Sequence, residues 1–278
     1  MKLIRKTEIE KPKIVYNLHI QDDHNYIVDG AVVSNCHMAK AEILKKLLTQ
    51  NLSSAAIRWG LTGTVPKDDI GLQSLRCSLG DVINHISAYD LQQKGVLSNC
   101  HVNVVQTAEW KEFGSYAEEL KYLVTDETRM TYLSNMINDI SKTGNTLVLV
   151  NRIDSGKFIV EQLPDAVFVS GEVKTKDRKE EYDEIKTSTN KIIVATYGVA
   201  AVGINIPRIF NLVLLEPGKS FIRVIQSIGR GIRKAEDKDH VEIWDLTAST
   251  KYAKRHLTER KKFYKEAKYN YSIQKVKY

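Results

Sequence analysis

Cysteine is scarce in this chain, with three in 278 residues: Cys36, Cys77 and Cys100. Their spacing matches neither a disulfide framework nor a zinc site, so no metal centre is expected. A reducing compartment such as a cytoplasm fits. No signal peptide is visible. The longest apolar stretch, Ile192 to Ile206, is broken by Thr196, Tyr197, Gly198, Gly203 and Asn205. It reads as a buried strand and loop, and no membrane partner is expected. A P-loop is also missing. Pro217-Gly218-Lys219-Ser220 ends like one, but the pattern GxxxxGK[ST] requires glycine at 213, where Val213 stands.

What is present is ordinary for a globular protein: 42% hydrophobic and 27% charged residues. The length allows one large or two smaller domains. The net charge of +7 is unevenly placed. Residues 251–278 hold ten Lys/Arg against Glu259 and Glu266, whereas residues 1–35 hold five bases and five acids. A basic tail on a near-neutral body suggests an anionic polymer as partner.

Along the chain, residues 13–33 alternate apolar and polar and read as short strands with turns at Gln21-Asp22-Asp23 and Asp29-Gly30. From Ala39 the pattern becomes helical, through AKAEILKKLLTQ, and then AIRWGLTGT reads as a strand entering a loop. Strands follow at about 101–107, TLVLV, AVFVS, KIIVAT, NLVLLE and HVEIWDL. Helices are expected at about 115–124, 127–142, 154–163, 175–188, 219–233 and 250–271. Such alternation predicts an α/β fold, a parallel sheet flanked by helices. The sharpest change in composition falls near residue 36.

The opening resembles the C-terminal fragment of a DnaE-like split intein. The resemblance rests on VYNLHIQDDHNYIVDG and on the terminal VVSNC. It implies a short all-β (Hint) fragment over residues 1–35 and protein splicing at Asn35–Cys36. Cys36 suits a nucleophile, because a thiolate attacks thioesters at neutral pH. Asn35 suits backbone cleavage, because its side-chain amide can close on its own carbonyl. By resemblance, His24 moves protons. Ser34 precedes Asn35 where many inteins have His. Asn17 stands where the block usually has an Asp that helps activate the nucleophile.

Residues 36–278 resemble the C-terminal half of a superfamily 2 helicase, with motifs in order. Cys36-His37 matches the end of Asp-Glu-Cys-His, with His37 as the Walker B remainder. GLTGT at 60–64 resembles motif III and implies Thr62 and Thr64 near DNA. Asn151 closes a motif IV-like stretch. Gly171 and Arg178 resemble a backbone-gripping loop and helix start. Thr196 through Gly203 and Asn205 resembles motif V; many relatives have Asp at 205. QSIGRGIR, from Gln226 through Gly229, Arg230 and Arg233, resembles motif VI. On a helix Gln226, Arg230 and Arg233 share one face. The resemblance makes Arg233 an arginine finger and Arg230 its companion at an ATP γ-phosphate. Gly203, Asn205 and Gly229 are implied nucleotide contacts.

Within the superfamily the likeness is to the recombination helicases of T-even-type phages. It implies an ATP-driven motor on branched DNA in an infected or bacterial cell. ATP and Mg²⁺ would be held mainly by an N-terminal intein–helicase half, the expected trans-splicing partner. That partner would supply the Asp-Glu, so this chain alone is expected not to hydrolyse ATP. Two alternatives stand: a truncated precursor spliced in cis, and an inactive intein remnant on a DNA-binding module. The expected layout is 1–35 intein fragment, 36–105 remainder of a first RecA-like domain, 106–250 second RecA-like domain, and 251–278 basic helix or tail. In that tail the aromatics are expected to pack and the lysines to meet DNA.

Overall fold

The computed structural model describes residues 25–28, 31–35, 46–51, 53, 57–61, 65, 69–83, 85–169, 188–202, 208–219, 228–229, 232–233, 235 and 237–278. They fall in two compact units, Met1–His85 and Ile86–Tyr278.

In the first unit, β1 (Asn25–Val28) and β2 (Ala31–Asn35) form an antiparallel hairpin, with Val28 opposite Ala31. The turn expected at Asp29-Gly30 lies outside the described residues. β3 (Ile57–Leu61) lies parallel to β2, with Asn35 opposite Leu61. The hairpin thus shares a sheet with a strand from beyond residue 36, where composition suggests a separate module. A helix not anticipated from the sequence, α1 (Asp69–Leu79), completes the unit. Of the helix expected from Ala39, the described part contains a π-helical turn, Leu47–Asn51.

The second unit begins with α2 (Ala88–Gln93), started by a capping box between Ser87 and Asp90. Then come β4 (Asn99–Thr107), α3 (Tyr116–Thr125), α4 (Glu127–Ser141), β5 (Thr146–Val150), α5 (Ile153–Gln162) and β6 (Ala166–Val169). β7 (Ile192–Thr196), α6 (Tyr197–Val202), β8 (Asn211–Leu215), β9 (His240–Ala248), α7 (Lys251–Glu266) and β10 (Asn270–Val276) follow. Asp126 separates α3 from α4. Its amide bonds the Tyr122 carbonyl at 2.9 Å, and its carboxylate accepts from the Arg129 amide at 3.0 Å. One residue therefore ends one helix and caps the next.

All seven strands of this sheet pair in parallel, in the order β10-β4-β9-β8-β5-β7-β6. The strand alternation assigns each residue a face. Leu147, Leu149, Leu212 and Leu214 join a core with Leu257 and Tyr264 of α7. Val148, Val150, Val213 and Val194 join another with Met130, Leu133 and Ile137 of α4 and Ile159 of α5. Burial on both faces is why TLVLV and NLVLL read as continuous apolar runs.

Two expectations are corrected. The helix expected to reach residue 271 ends at Glu266, and the last segment is an edge strand, β10, beside β4. The division between units falls at 85/86, not 105/106, because β4 pairs along its whole length with β9 of the second unit. The helices expected at 175–188 and 219–233 lie outside the described residues, wholly or in most of their length.

Candidate functional site

In an all-parallel sheet every strand ends on the same edge, and the loops there commonly bind ligands. Asn151 follows β5, Thr196 ends β7, and Glu216 follows β8. Val150 pairs with Thr196 in the β5–β7 register, so Asn151 and Thr196 start from neighbouring lanes. The Thr196 hydroxyl accepts from the Val199 amide at 3.4 Å, opening α6. Asn151 donates its side-chain amide to the Glu216 carbonyl.

Glu216 is held from three sides. Its amide donates to the Leu246 carbonyl at 3.0 Å, its carbonyl accepts from Asn151, and its carboxylate meets Arg129 Nη2 at 2.5 Å. Its φ of +43° is strained for a residue with a Cβ. Such strain persists where surroundings over-determine it, often at functional edges. Burial pushes the Glu216 carboxyl above its ordinary range, and Arg129 works against that shift.

Arg129 is fully buried and also meets Glu109 Oε1 at 3.4 Å and Thr107 Oγ1 at 3.2 Å. A second buried pair ties α7 to this loop. Arg260 Nε and Nη2 reach Asp245 at 2.8 and 2.9 Å, and Nη1 donates to the Gly218 carbonyl at 2.7 Å. The Tyr264 hydroxyl adds a 2.8 Å bond to Asp245. Glu119 of α3, itself buried, accepts from the Tyr252 and Ala253 amides at 3.0 and 2.7 Å. It caps α7 from a distance, in place of Thr250, which makes no side-chain cap. No local pattern signals these pairs, whose partners lie far apart along the chain.

Arg233 sits at the opposite, amino edge. It bridges Leu97, and the Ile232 carbonyl accepts from the Ser98 amide at 2.8 Å, just before β4. Arg233 and the pair Asn151 and Thr196 therefore lie at opposite edges of the sheet. Gly229 is half-buried, and a Cβ there would meet no described atom. His24, Cys36, His37, Thr62, Thr64, Gly171, Arg178, Gly203, Asn205, Gln226 and Arg230 lie outside the described residues. Asn35 is described only as the last residue of β2. Among the described residues no group of three or more His, Cys, Asp or Glu could hold a metal ion. Nor is any helix among them long and apolar enough to cross a membrane.

Beside Arg233, Lys238 is buried and donates Nζ to the Ile209 carbonyl at 3.0 Å. Burial lowers its pKa from 10.5 to about 8. Between these values the unfolded chain holds more protons, so stability rises with pH there. From pH 8 to 9 the rise should be about 1 kcal/mol, or ~2–4 °C in Tm. Lys238→Met should remove this rise in thermal melts. The window stops at 9 because burial raises the Cys100 thiol from 9.0 to about 11, which acts oppositely above that pH.

Residues 128–235 match the family of the helicase conserved C-terminal domain. The second unit has a helicase C-terminal fold. The chain is 25% identical over 268 residues to the ATP-dependent DNA helicase uvsW of Enterobacteria phage T4, covering 87% of this chain and 53% of that protein. The crystal structure of T4 UvsW superposes with a TM-score of 0.55 at 22% identity, over 88% of this chain and 53% of that one. A putative HsdR subunit of a type I restriction enzyme from Vibrio vulnificus YJ016 gives a TM-score of 0.67 at 17% identity, over 89% and 48%. The chain spans about half the length of the curated relatives it matches. The helicase C-terminal domain is RecA-like, with the parallel sheet that the alternation of elements implied. Val213 lies fully buried inside β8, as the rejection of a P-loop at Pro217–Ser220 required.

Proposed function

We propose that this chain is a splicing precursor of the C-terminal part of an ATP-driven DNA motor. The reading is carried by one juxtaposition: a helicase C-terminal domain follows, in the same chain, the residues VYNLHI…VVSNC. The phage match covers 87% of the chain. Splicing at Asn35–Cys36 removes residues 1–35 and joins a partner ending in Asp-Glu to Cys36-His37. Cys36 accepts the acyl group on sulfur, Asn35 cyclises and cleaves, and the freed Cys36 amine takes the acyl group to form a peptide bond. His24 moves the protons.

In the joined motor, ATP and Mg²⁺ sit mainly on the partner half, whose Asp-Glu supplies the carboxylates for the ion. Bound ATP supplies the phosphoryl bond whose cleavage drives the motor. Arg233, Arg230 and Gln226 would meet its phosphates, with Gly203, Asn205 and Gly229 as further contacts. Asn151, which follows β5, and Thr196, which ends β7, would hold DNA together with Gly171, Arg178, Thr62 and Thr64. The phage relative's class suggests branched DNA.

The test is intact mass after mixing the chain with a DnaE-like N-terminal intein half whose tag ends in Asp-Glu. A tag joined to Cys36, with residues 1–35 released, is expected. Asn35→Ala should abolish that release; normal release in this variant would overturn the junction. Asn17 favours the second reading, an inactive remnant on a DNA-binding module. Complete inertness toward several intein halves would establish it.

A further inference from the structure

We propose that the helicase C-terminal domain carries an additional single-stranded nucleic-acid subsite, a cavity of about 630 Å³ between the β8–α7 side of the carboxyl edge and the start of α3. Among the described residues it is lined by Tyr116, Pro217, Gly218, Lys219, Tyr252, Arg255, His256 and Glu259. The proposal rests on the reading that this domain binds DNA.

Three elements build the cavity, and each enters from a strand's carboxyl end. Tyr116 opens α3 after β4, Lys219 follows β8, and Tyr252, Arg255 and His256 lie on α7 after β9. The subsite is therefore on the same edge as Asn151 and Thr196, and the Asn151–Glu216 bond links the two directly. Its chemistry suits a nucleic-acid strand. Lys219 and Arg255 are exposed cations that can meet successive phosphates. Tyr116, 37% exposed, presents a ring 4.7 Å from His256 and 6.3 Å from Tyr252, an aromatic group on which a base can stack. Lys251 lies 5.5 Å over the Tyr252 ring. Glu259, the one carboxylate in the lining, is paired with Lys262 at 2.8 Å and also feels the charges of Arg255 and Lys219.

His256 gives the second, independent observation. Its residue is only 7% exposed, yet it lines the cavity, and its ring meets Tyr116 edge-on at 4.7 Å. An imidazole N–H there can donate to a ligand oxygen. Burial, then Arg260 and Lys219, lower its pKa, so the imidazole is neutral and offers one N–H donor without a further charge.

The position of the walls is fixed by the buried pairs. Arg260 holds the Gly218 carbonyl, Glu119 caps the first turn of α7, and the Tyr252 hydroxyl bonds the Gly114 carbonyl at 3.0 Å. The cavity is thus formed before a ligand arrives, which lowers the ordering cost of binding.

The experiment uses the full chain and fluorescein-labelled (dT)20, with anisotropy read between 50 and 200 mM salt. Loss of two phosphate contacts in the Lys219→Ala/Arg255→Ala variant should lower the salt slope by ~1.4 and weaken binding roughly tenfold or more. Tyr116→Ala should leave the slope unchanged and weaken binding roughly five- to hundredfold. It should also remove the preference of the native chain for (dT)20 over an abasic strand. All three substituted positions are exposed, so the fold should survive, and circular dichroism checks it. Native binding with an unchanged double variant overturns the subsite and leaves the DNA-binding reading standing. No binding by the native chain overturns both.

Discussion

Replacing Asp245 with alanine is expected to destabilise the second unit by about 3–5 kcal/mol. Asp245 is fully buried and accepts two bonds from Arg260 and one from the Tyr264 hydroxyl. Alanine leaves a guanidinium in the core with no counter-charge and orphans the hydroxyl. Equilibrium urea unfolding followed by circular dichroism reads the loss. Asp245→Asn should fall between, since it keeps acceptors and shape but not charge. Replacing both partners, Asp245→Leu with Arg260→Met, should cost far less than either single change, because the desolvation cost of both charges disappears together. A single-variant loss under about 1 kcal/mol would mean that water reaches the pair in solution. The change should also loosen the cavity wall, since Arg260 holds Gly218.

The second large effect concerns the proposed joined motor. Arg233→Ala should lower DNA-stimulated ATP turnover about 10³-fold, the scale on which an arginine finger acts. KM for ATP should change far less, because such a cation meets charge that develops during phosphoryl transfer. Arg233→Lys should not rescue, since one ammonium cannot present the planar fork. The backbone at 232–233 is pinned to Leu97 and Ser98, so the alanine variant should fold normally. A turnover loss below tenfold would remove Arg233 from the chemistry and pass the role to Arg230. DNA binding is a useful control. Asn151 and Thr196, proposed to hold DNA, lie on the opposite edge, so Arg233→Ala should leave the (dT)20 affinity unchanged.

The contrast between these two cases shows what could be read in advance. Arg233 could be singled out as a candidate because QSIGRGIR is a local pattern whose residues would share a helical face. Asp245 was not. HVEIWDL read correctly as a strand, but nothing in it says that its aspartate meets an arginine on the next helix. Arg129 is similar. ETRMTYLSNMINDI predicted α4 well, and an arginine near a helix start ordinarily faces water. The fold instead buries it between Glu109 and Glu216.

The edge strand β10 failed for a related reason. NYSIQKV is mostly exposed and continues a basic helical stretch, so no apolar periodicity marked it. A strand at a sheet edge is held by backbone bonds that any sequence can make, and β4 offered a free edge. The tail aromatics divided. Tyr264 and Tyr269 are packed in the core, as expected, while Tyr252 lines the cavity.

The sequence by itself determined the α/β class, the strands β5 to β9, the absence of a P-loop and the order of the helicase-like motifs. These follow from short-range periodicity and local residue types, which act within a few residues of each other. Only the tertiary structure decided the sheet order, the 85/86 division, the opposite edges for Arg233 and Asn151, and the buried pairs that fix Gly218. The cavity at Tyr116, Lys219 and Arg255 belongs to that second group. Its walls come from three segments that only the parallel sheet brings to one edge, and their pairing energies depend on burial that no local pattern encodes.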